Sequence, residues 1–358
     1  MFRHYFYFIS VISLLPSHEC CRSFHKIHTE ITPKHGAVFN KTIRGCVSTK
    51  SVNVTDITGV KIANQPVTQL KIGAVENMES LIHIEFIKCN IETVQPRAFR
   101  DVPSLERIFL HNGLLEKIPK GVFVNMPSLK KISFSHNKIS NIENASFQIP
   151  TLQILHLSYN KLKDWNKYWF GSFQNLIEID IRDNLLGTIP SNAFENFENV
   201  SKIVLDSNMI TSIEMNAFAG LHKLKHLGLT YNLLTEININ WFPNSINLSK
   251  LTVNANKLNY VSLKVLERVK PKQILIDGNP WKCECWKDLV VWMHDNGGKI
   301  VTTDYCKNEN VPVCITVENS KKCDENVDYD LIRKYFDGVK KSVKDINSVK
   351  KMKCYRLD

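Results

Sequence analysis

Leu129-x-x-Ile132-x-Phe134-x-x-Asn137-x-Ile139 is followed by Leu152-x-x-Leu155-x-Leu157-x-x-Asn160-x-Leu162 and by Leu176-x-x-Ile179-x-Ile181-x-x-Asn184-x-Leu186. Val200, Leu224 and Leu248 open further copies, and a looser copy opens at Leu105. The starts are 24, 23, 24, 24, 24 and 24 residues apart. A fixed period of this length marks a solenoid, whose units bury their apolar sides only by stacking. Positions 4 and 6 flank a polar residue, as in Leu155-His156-Leu157, which is strand periodicity. The return leg adds apolar residues near positions 14, 19 and 22: Ile118, Phe123 and Met126, then Ile189, Phe194 and Phe197, then Ile213, Phe218 and Leu221. Each buried Leu or Phe contributes about 1.5–3 kcal/mol, so deleting one near mid-array is expected to cost about 2–5 kcal/mol.

Position 9 has a different task. Asn137, Asn160, Asn184, Asn208, Asn232, Asn256 and Asn279 stand where the chain leaves the strand. An amide there offers donors and an acceptor to backbone groups of adjacent coils, which are costly to leave unpaired. Cys89 and Gly113 hold the slot in two earlier units. The ladder is therefore expected to weaken toward the N-terminus, with Cys89 buried and free.

These residues match the leucine-rich repeat, L-x-x-L-x-L-x-x-N-x-L. The run Asn279-Pro280-Trp281-Lys282-Cys283-Glu284-Cys285 resembles the start of the cysteine-rich C-terminal cap of extracellular leucine-rich-repeat proteins. Over residues 67–323 the chain is similar to the group containing Toll-like receptor ectodomains, Slit-type modules and secreted arthropod immune repeat proteins. The resemblance implies an α/β leucine-rich-repeat horseshoe with a parallel concave sheet, disulfide-bonded caps and a C-terminal helix. It implies recognition of a protein ligand on the concave face, with innate immunity as the leading role. It also implies the pairs Cys283–Cys306 and Cys285–Cys323. The additional Cys314 and Cys354 leave two choices: they pair with each other, or Cys314 takes the place of Cys323.

The organisation expected is a signal peptide at 1–17, an N-terminal cap at 18–66, repeats at 67–270, a cysteine-rich cap at 271–323 and a basic amphipathic helical tail at 324–358. Arg3 and His4 followed by an apolar core from Tyr5 to Leu15 resemble a secretory leader, too short to span a bilayer. No later apolar run is long enough for a transmembrane segment. Five sequons, at Asn40, Asn53, Asn144, Asn199 and Asn247, and ten cysteines grouped toward the ends suit an oxidising, extracellular compartment. In the N-terminal cap, Val52-x-Val54 and Ile57-x-x-Val60-x-Ile62 are expected as short strands, and residues 67–80 as a degenerate first repeat. Cys46 is expected to pair with Cys20 or Cys21, leaving one thiol that is free or bridges to another chain. Leu289, Val290, Trp292 and Met293 suggest a short helix over the last coil. The tail carries nine Lys/Arg against four Asp/Glu from residue 329. It is expected to pack on the cap, with helix-mediated oligomerisation or anionic-surface contact as alternatives.

Positions 3, 5, 7 and 8 face the inside of the horseshoe and are free of core duties. Position 3 forms a largely basic column that includes Arg107, Lys131 and Lys202. Nearby positions bring in Phe109, His111, His136, His156 and Tyr159, and farther along Asp180, Arg182, Asp183, Asp206 and Tyr231. Exposed aromatics and Arg are typical of protein-binding hot spots. The net charge of +11 leaves an acidic glycan or anionic surface as an alternative ligand, and a soluble adhesion or guidance-type role as another. His111, His136 and His156 have no carboxylate or Cys in register for a metal, so no metal or cofactor is expected. A pH-sensitive contact is the other reading. Trp169 and Trp241, where other repeats carry Ala98, Ala193 or Ala217, are read as core filling. There is no G-x-S-x-G, H-E-x-x-H or phosphate loop. Nucleic acid is set aside because the chain carries an export signal and sequons.

Overall fold

The computed structural model describes residues 23–171, 175–303, 313–318 and 320–342. The expected signal peptide, Cys20, Cys21, Cys306 and Cys354 lie outside them.

A single sheet of thirteen strands runs the length of the described chain. Its regular part is parallel, one strand per repeat, from Ile57–Ala63 (β3) through His83–Ile87, Arg107–His111, Lys131–Ser133 and onward to Gln273–Leu275 and Lys299–Val301. Each strand lies in register with the residue one period away, as in Lys131↔Arg107 and Glu178↔Lys202. The apolar residues of positions 1, 4 and 6 and of the return leg form one continuous core, with Phe134, Phe194, Phe197 and Phe218 among its largest fully buried side chains. Trp169 and Trp241 are buried in it, each ending a 3-10 turn capped by Asn166 or Asn238.

The first repeat starts earlier than expected. β3 pairs in parallel with His83–Ile87 at a 24-residue offset, Gly59↔His83 through Ala63↔Ile87. Ile57 therefore opens a full unit, and Leu70, Val75 and Met78 are its buried return leg. Residues 67–80 are thus the second half of that unit, not a truncated one. The period is hard to see in the residues because Gln65 holds position 9.

The N-terminal cap is also built differently. Phe24–Pro33 (β1) and Phe39–Gly45 (β2) form an antiparallel hairpin, and β1 pairs antiparallel with β3. The hairpin extends the concave sheet, while Phe24, Ile27, Ile31 and Ile43 cover the core of the first coil. Val52 does not start a strand. It ends the short helix Thr49–Val52 (α1), whose Ser48 and Ser51 form a reciprocal capping box. Cys46 is buried.

At the other end, Trp281 donates its indole N–H to the Ile276 carbonyl at 2.9 Å. Helix Cys283–Asp295 (α2) then lies over the last coil with Leu289 and Met293 buried and Val290 turned outward. Cys285 is bonded to Cys323. Cys283, however, is bonded to Cys314, which excludes both Cys283–Cys306 and Cys314–Cys354. The cause is local: Trp281–Lys282 pairs in parallel with Cys314–Ile315, which brings the two Cα atoms to 4.9 Å. Lys282, 5% exposed, ties the cap together by donating from Nζ to the Asp324 carboxylate and carbonyl and the Asn326 carbonyl. The tail helix (α3, Tyr329–Ser342) buries Ile332, Tyr335, Phe336 and Val339 against Ile315 and Val327. Its apolar stripe is thereby covered within the chain. No helix among the described residues is long and apolar enough to cross a membrane.

Candidate functional site on the concave face

The parallel register places one residue of each coil beside its counterpart in the next, at about 4.8 Å. Position 3 reads His83, Arg107, Lys131, Ile154, Glu178, Lys202, His226, Lys250 and Gln273 across adjacent strands. The basic column is broken in the middle. Glu178 Oε1 accepts from Lys202 Nζ at 2.9 Å and lies 3.2 Å from His156 Nε2.

On the N-terminal side of that break the structure brings together most of the residues singled out from sequence. Lys131 Nζ stands 5.6 Å from the centre of the Phe109 ring, a cation–π arrangement. Phe109 meets His111 edge-on at 5.6 Å, and His111 Nε2 is 2.7 Å from Ser133 Oγ. His136 and Tyr159 stack face to face with ring centres 4.0 Å apart. Arg107 flanks Lys131 in the same column. Burial lowers the pKa of His111, reinforced by the positive fields of His136, His156 and Lys131. Burial also lowers that of His156, with Lys131 adding to it and Asp180 and Glu178 opposing.

On the C-terminal side the face changes character. Asp180, only 2% exposed, holds Arg182 in a bidentate ion pair, with Arg182 Nη2 and Asp180 Oδ2 2.5 Å apart. Asp183 is raised by burial, and its charge in turn raises the Tyr159 hydroxyl. Asp206 lies over Gly228, where an added Cβ would fall 2.7 Å from Oδ1, and accepts the Thr230 N–H at 2.8 Å. Burial pushes Asp206 up to about 6. Arg182 and Lys202, picked as free binding cations, are thus each held by a carboxylate of the same face. Tyr231 is three coils beyond Tyr159 and belongs to this second half.

Sequence reasoning missed two features. Position 8 is left-handed in every coil, with φ of 58° at His136, 57° at Tyr159 and 59° at Tyr231. Non-glycine residues are uncommon there, and bulky ones in this region point to a functional or packing constraint. The signal was the recurrence of Asn64, Asn112, Asp183 and Gly278 at the same slot. The second is the room that Gly228, a small residue at position 5, leaves for Asp206, one of three acidic residues, with Asp180 and Asp183, that the sequence already puts on this face. The described residues contain no group of three or more His, Cys, Asp or Glu placed to hold a metal ion.

The sequons fall mainly away from this face. Asn199 and Asn247 lie just before strand starts, and Asn144 lies on the return leg, where it accepts from Asn166 Nδ2.

Known proteins agree with this architecture. Chicken lumican (Gallus gallus) is 32% identical over 139 residues, 37% of this chain and 38% of that protein. Bovine osteomodulin (Bos taurus) is 31% identical over 123 residues, 34% of this chain and 28% of that protein. The chain therefore matches well under half of either relative. Among solved structures, the mouse RP105/MD-1 complex superposes with a TM-score of 0.61 at 21% identity, covering 73% of this chain and 46% of that one. The octameric complex of Latrophilin 3, Unc5D and FLRT2 superposes at 0.57 and 18% identity, covering 70% and 84%. These likenesses establish the fold. The family model described as "BspA type Leucine rich repeat region" matches residues 49–172 and 140–269, more than half of the chain. With its periodic core, parallel concave sheet and disulfide-bonded C-terminal region, the chain belongs to the leucine-rich-repeat proteins of that family.

Proposed function

We propose that this is a secreted, extracellular recognition protein that binds another protein through its concave face, in innate immunity. The observation that carries the reading is the juxtaposition of Arg107, Phe109, Lys131, His111, His156, His136 and Tyr159 on neighbouring strands. It is a half-exposed aromatic and basic patch that the core does not need. Aromatic and Arg anchors of this kind dominate binding energy in protein interfaces. In the adjoining half the buried Asp180 carboxylate holds the half-exposed Arg182 guanidinium. Export is supported by the bonds Cys283–Cys314 and Cys285–Cys323 and by the five sequons. Solved structures of the same fold form complexes with other proteins, RP105 with MD-1 and Toll with Spatzle.

The experiment is affinity capture from extracellular fluid with the wild-type chain and with Phe109→Ala/Tyr159→Ala. Salt-tolerant capture of a protein, lost in the double variant, is the expected result. Equal capture by both would remove the concave face from the account. The second reading, an acidic glycan or anionic surface, draws on Arg107 and Lys131 lying side by side. It predicts salt-sensitive retention on a heparin-like polymer, abolished by changing Arg107, Lys131 and Lys202. The break at Ile154 and Glu178 weighs against it.

A further inference from the structure

At its N-terminal side the sheet ends on β2. Among the described residues, no strand pairs with the outer edge of β2 over residues 39–44. An open edge strand presents backbone N–H and C=O groups outward and is a template for a further strand. Such edges are commonly blunted by proline, by bulges or by charged side chains; β2 carries Lys41 and Arg44 and an irregular register near Gly45, but its stretch from residue 39 to 43 is regular. It contains no proline. Its register with β1 is regular from Ile43 to Phe39. A two-fold antiparallel meeting of two copies centred on Thr42 would set Thr42 against Thr42, Lys41 against Ile43 and Asn40 against Arg44. No like charges face each other in that register, so side chains alone do not forbid it.

Asn40 lies on this strand. It opens the sequon Asn40-Lys41-Thr42. The strand alternates, with Ile43 buried and Asn40, Thr42 and Arg44 exposed, so the Asn40 amide points to solvent. It also lies one residue into the strand, just after the hairpin turn at 34–38, where the backbone is accessible. In the two-fold register above, a group on Asn40 would collide with the second copy at Arg44, once on each side of the axis.

We propose that Asn40 carries an N-linked glycan whose role is to guard the open edge of the sheet, keeping a second copy of this chain from adding its β2 to the first. The modification joins sugar C1 to Asn40 Nδ2. The C1–O bond to a lipid diphosphate donor breaks, and the amide proton leaves with the diphosphate. The inference rests on the export reading; Asn40 stands in the cross-strand row that leads through Glu30, Lys61 and Glu85 to Phe109, so the sugar would rise from the concave side at the N-terminal edge of the sheet.

The test uses the full chain secreted from eukaryotic cells. Peptide mapping after glycosidase treatment, which converts an occupied Asn to Asp, reads each sequon. Light scattering on a sizing column reads the mass. Occupied Asn40 and a monomer are expected for wild type, Thr42→Ser and Asn247→Gln. A doubled mass is expected for Asn40→Gln. Wild type deglycosylated after folding gives the same reading should that variant fail to fold. Asn40→Gln/Thr42→Lys should return to a monomer, because the introduced ammonium group would face its own copy across the axis. The guard is overturned by a bare Asn40 beside occupied sequons elsewhere, by a monomeric Asn40→Gln, or by a double variant that still dimerises. Bare asparagine at all five sequons would overturn the export reading as well.

Discussion

The first two junctions of the array, between β3, His83–Ile87 and Arg107–His111, are held by five paired residues each. The next seven, from Arg107–His111 to Gln273–Leu275, are held by three. The difference tracks position 9. Wherever the later coil of a junction has Asn there, the amide reaches back across the junction. Asn208 Nδ2 donates to the Ile181 carbonyl of the previous coil and to the Leu205 and Asp206 carbonyls of its own, and its Oδ1 accepts the Leu186 N–H of the previous coil. Where the later coil has Cys89 or Gly113 that amide is missing, while backbone bonds run on past position 5 in both parts, as from the Lys88 N–H to the His111 carbonyl and from the His136 N–H to the Ser158 carbonyl. Cys89 Sγ donates weakly to the same kind of acceptor, the Ile62 carbonyl at 3.5 Å. The Gly113 slot is filled from the next coil, since a Cβ would lie 2.6 Å from Asn137 Oδ1. Backbone bonds thus join the coils in both parts, and the later junctions add a row of side-chain amides that the first two lack.

This contrast can be broken by measurement. Asn208→Ala should be the most damaging single change, because several buried backbone groups and the amide's own space are lost together. A loss of about 3–5 kcal/mol is expected in urea unfolding. A loss no larger than that of Cys89→Ala would dissolve the distinction between the two ends. Gly113→Ala should cost about 2–3 kcal/mol, since Asn137 or the Cys89 carbonyl must move. A neutral result would mean the junction is already slack.

The two ends also differ in their response to acid. Asp206 is raised to about 6, so its protonated form is favoured in the fold. The stabilising contribution is present below the unfolded carboxylate pKa and is lost as pH rises through about 6. Asp206→Asn should therefore raise stability at neutral pH by about 1–2 kcal/mol, with the gain vanishing as pH falls toward about 4. His111 and His156 run the other way. Their lowered pKa values mean stability present above the ordinary imidazole value and lost as pH falls through the folded value. Unfolding of wild type and Asp206→Asn at a series of pH values checks the sign. The smallest effect is expected for Cys89→Ala, about 1 kcal/mol, because five backbone pairs remain at that junction. A large loss there would mean that the thiol, not the backbone, holds the N-terminal end.

Much of this was legible in the residues. The 24-residue period placed the strands, the core and the Asn row, because each depends only on residue type at a fixed slot. The N-terminal cap was not legible. Phe24, Ile27 and Ile31 lack a pattern that distinguishes an antiparallel hairpin from a loop-like lid, and strand pairing partners are set by distant residues. The partner of Cys283 was hidden for the same reason: Trp281–Lys282 meeting Cys314–Ile315 is a tertiary event. At the candidate site, the face and most of its residues were readable. That Arg182 and Lys202 are already engaged by Asp180 and Glu178 was not, because ion pairing on this face depends on register and rotamer.

The repeat line by itself determined that this chain coils, which residues are inside and which stripe is left exposed on the concave face, since burial follows from spacing. Only the tertiary structure decided how the ends are closed and where position 8 turns left-handed. It also decided how the inner stripe divides into an aromatic-basic half and an acidic half. Those outcomes depend on which side chains meet across coils, and the distances between them are set by stacking, not by local order.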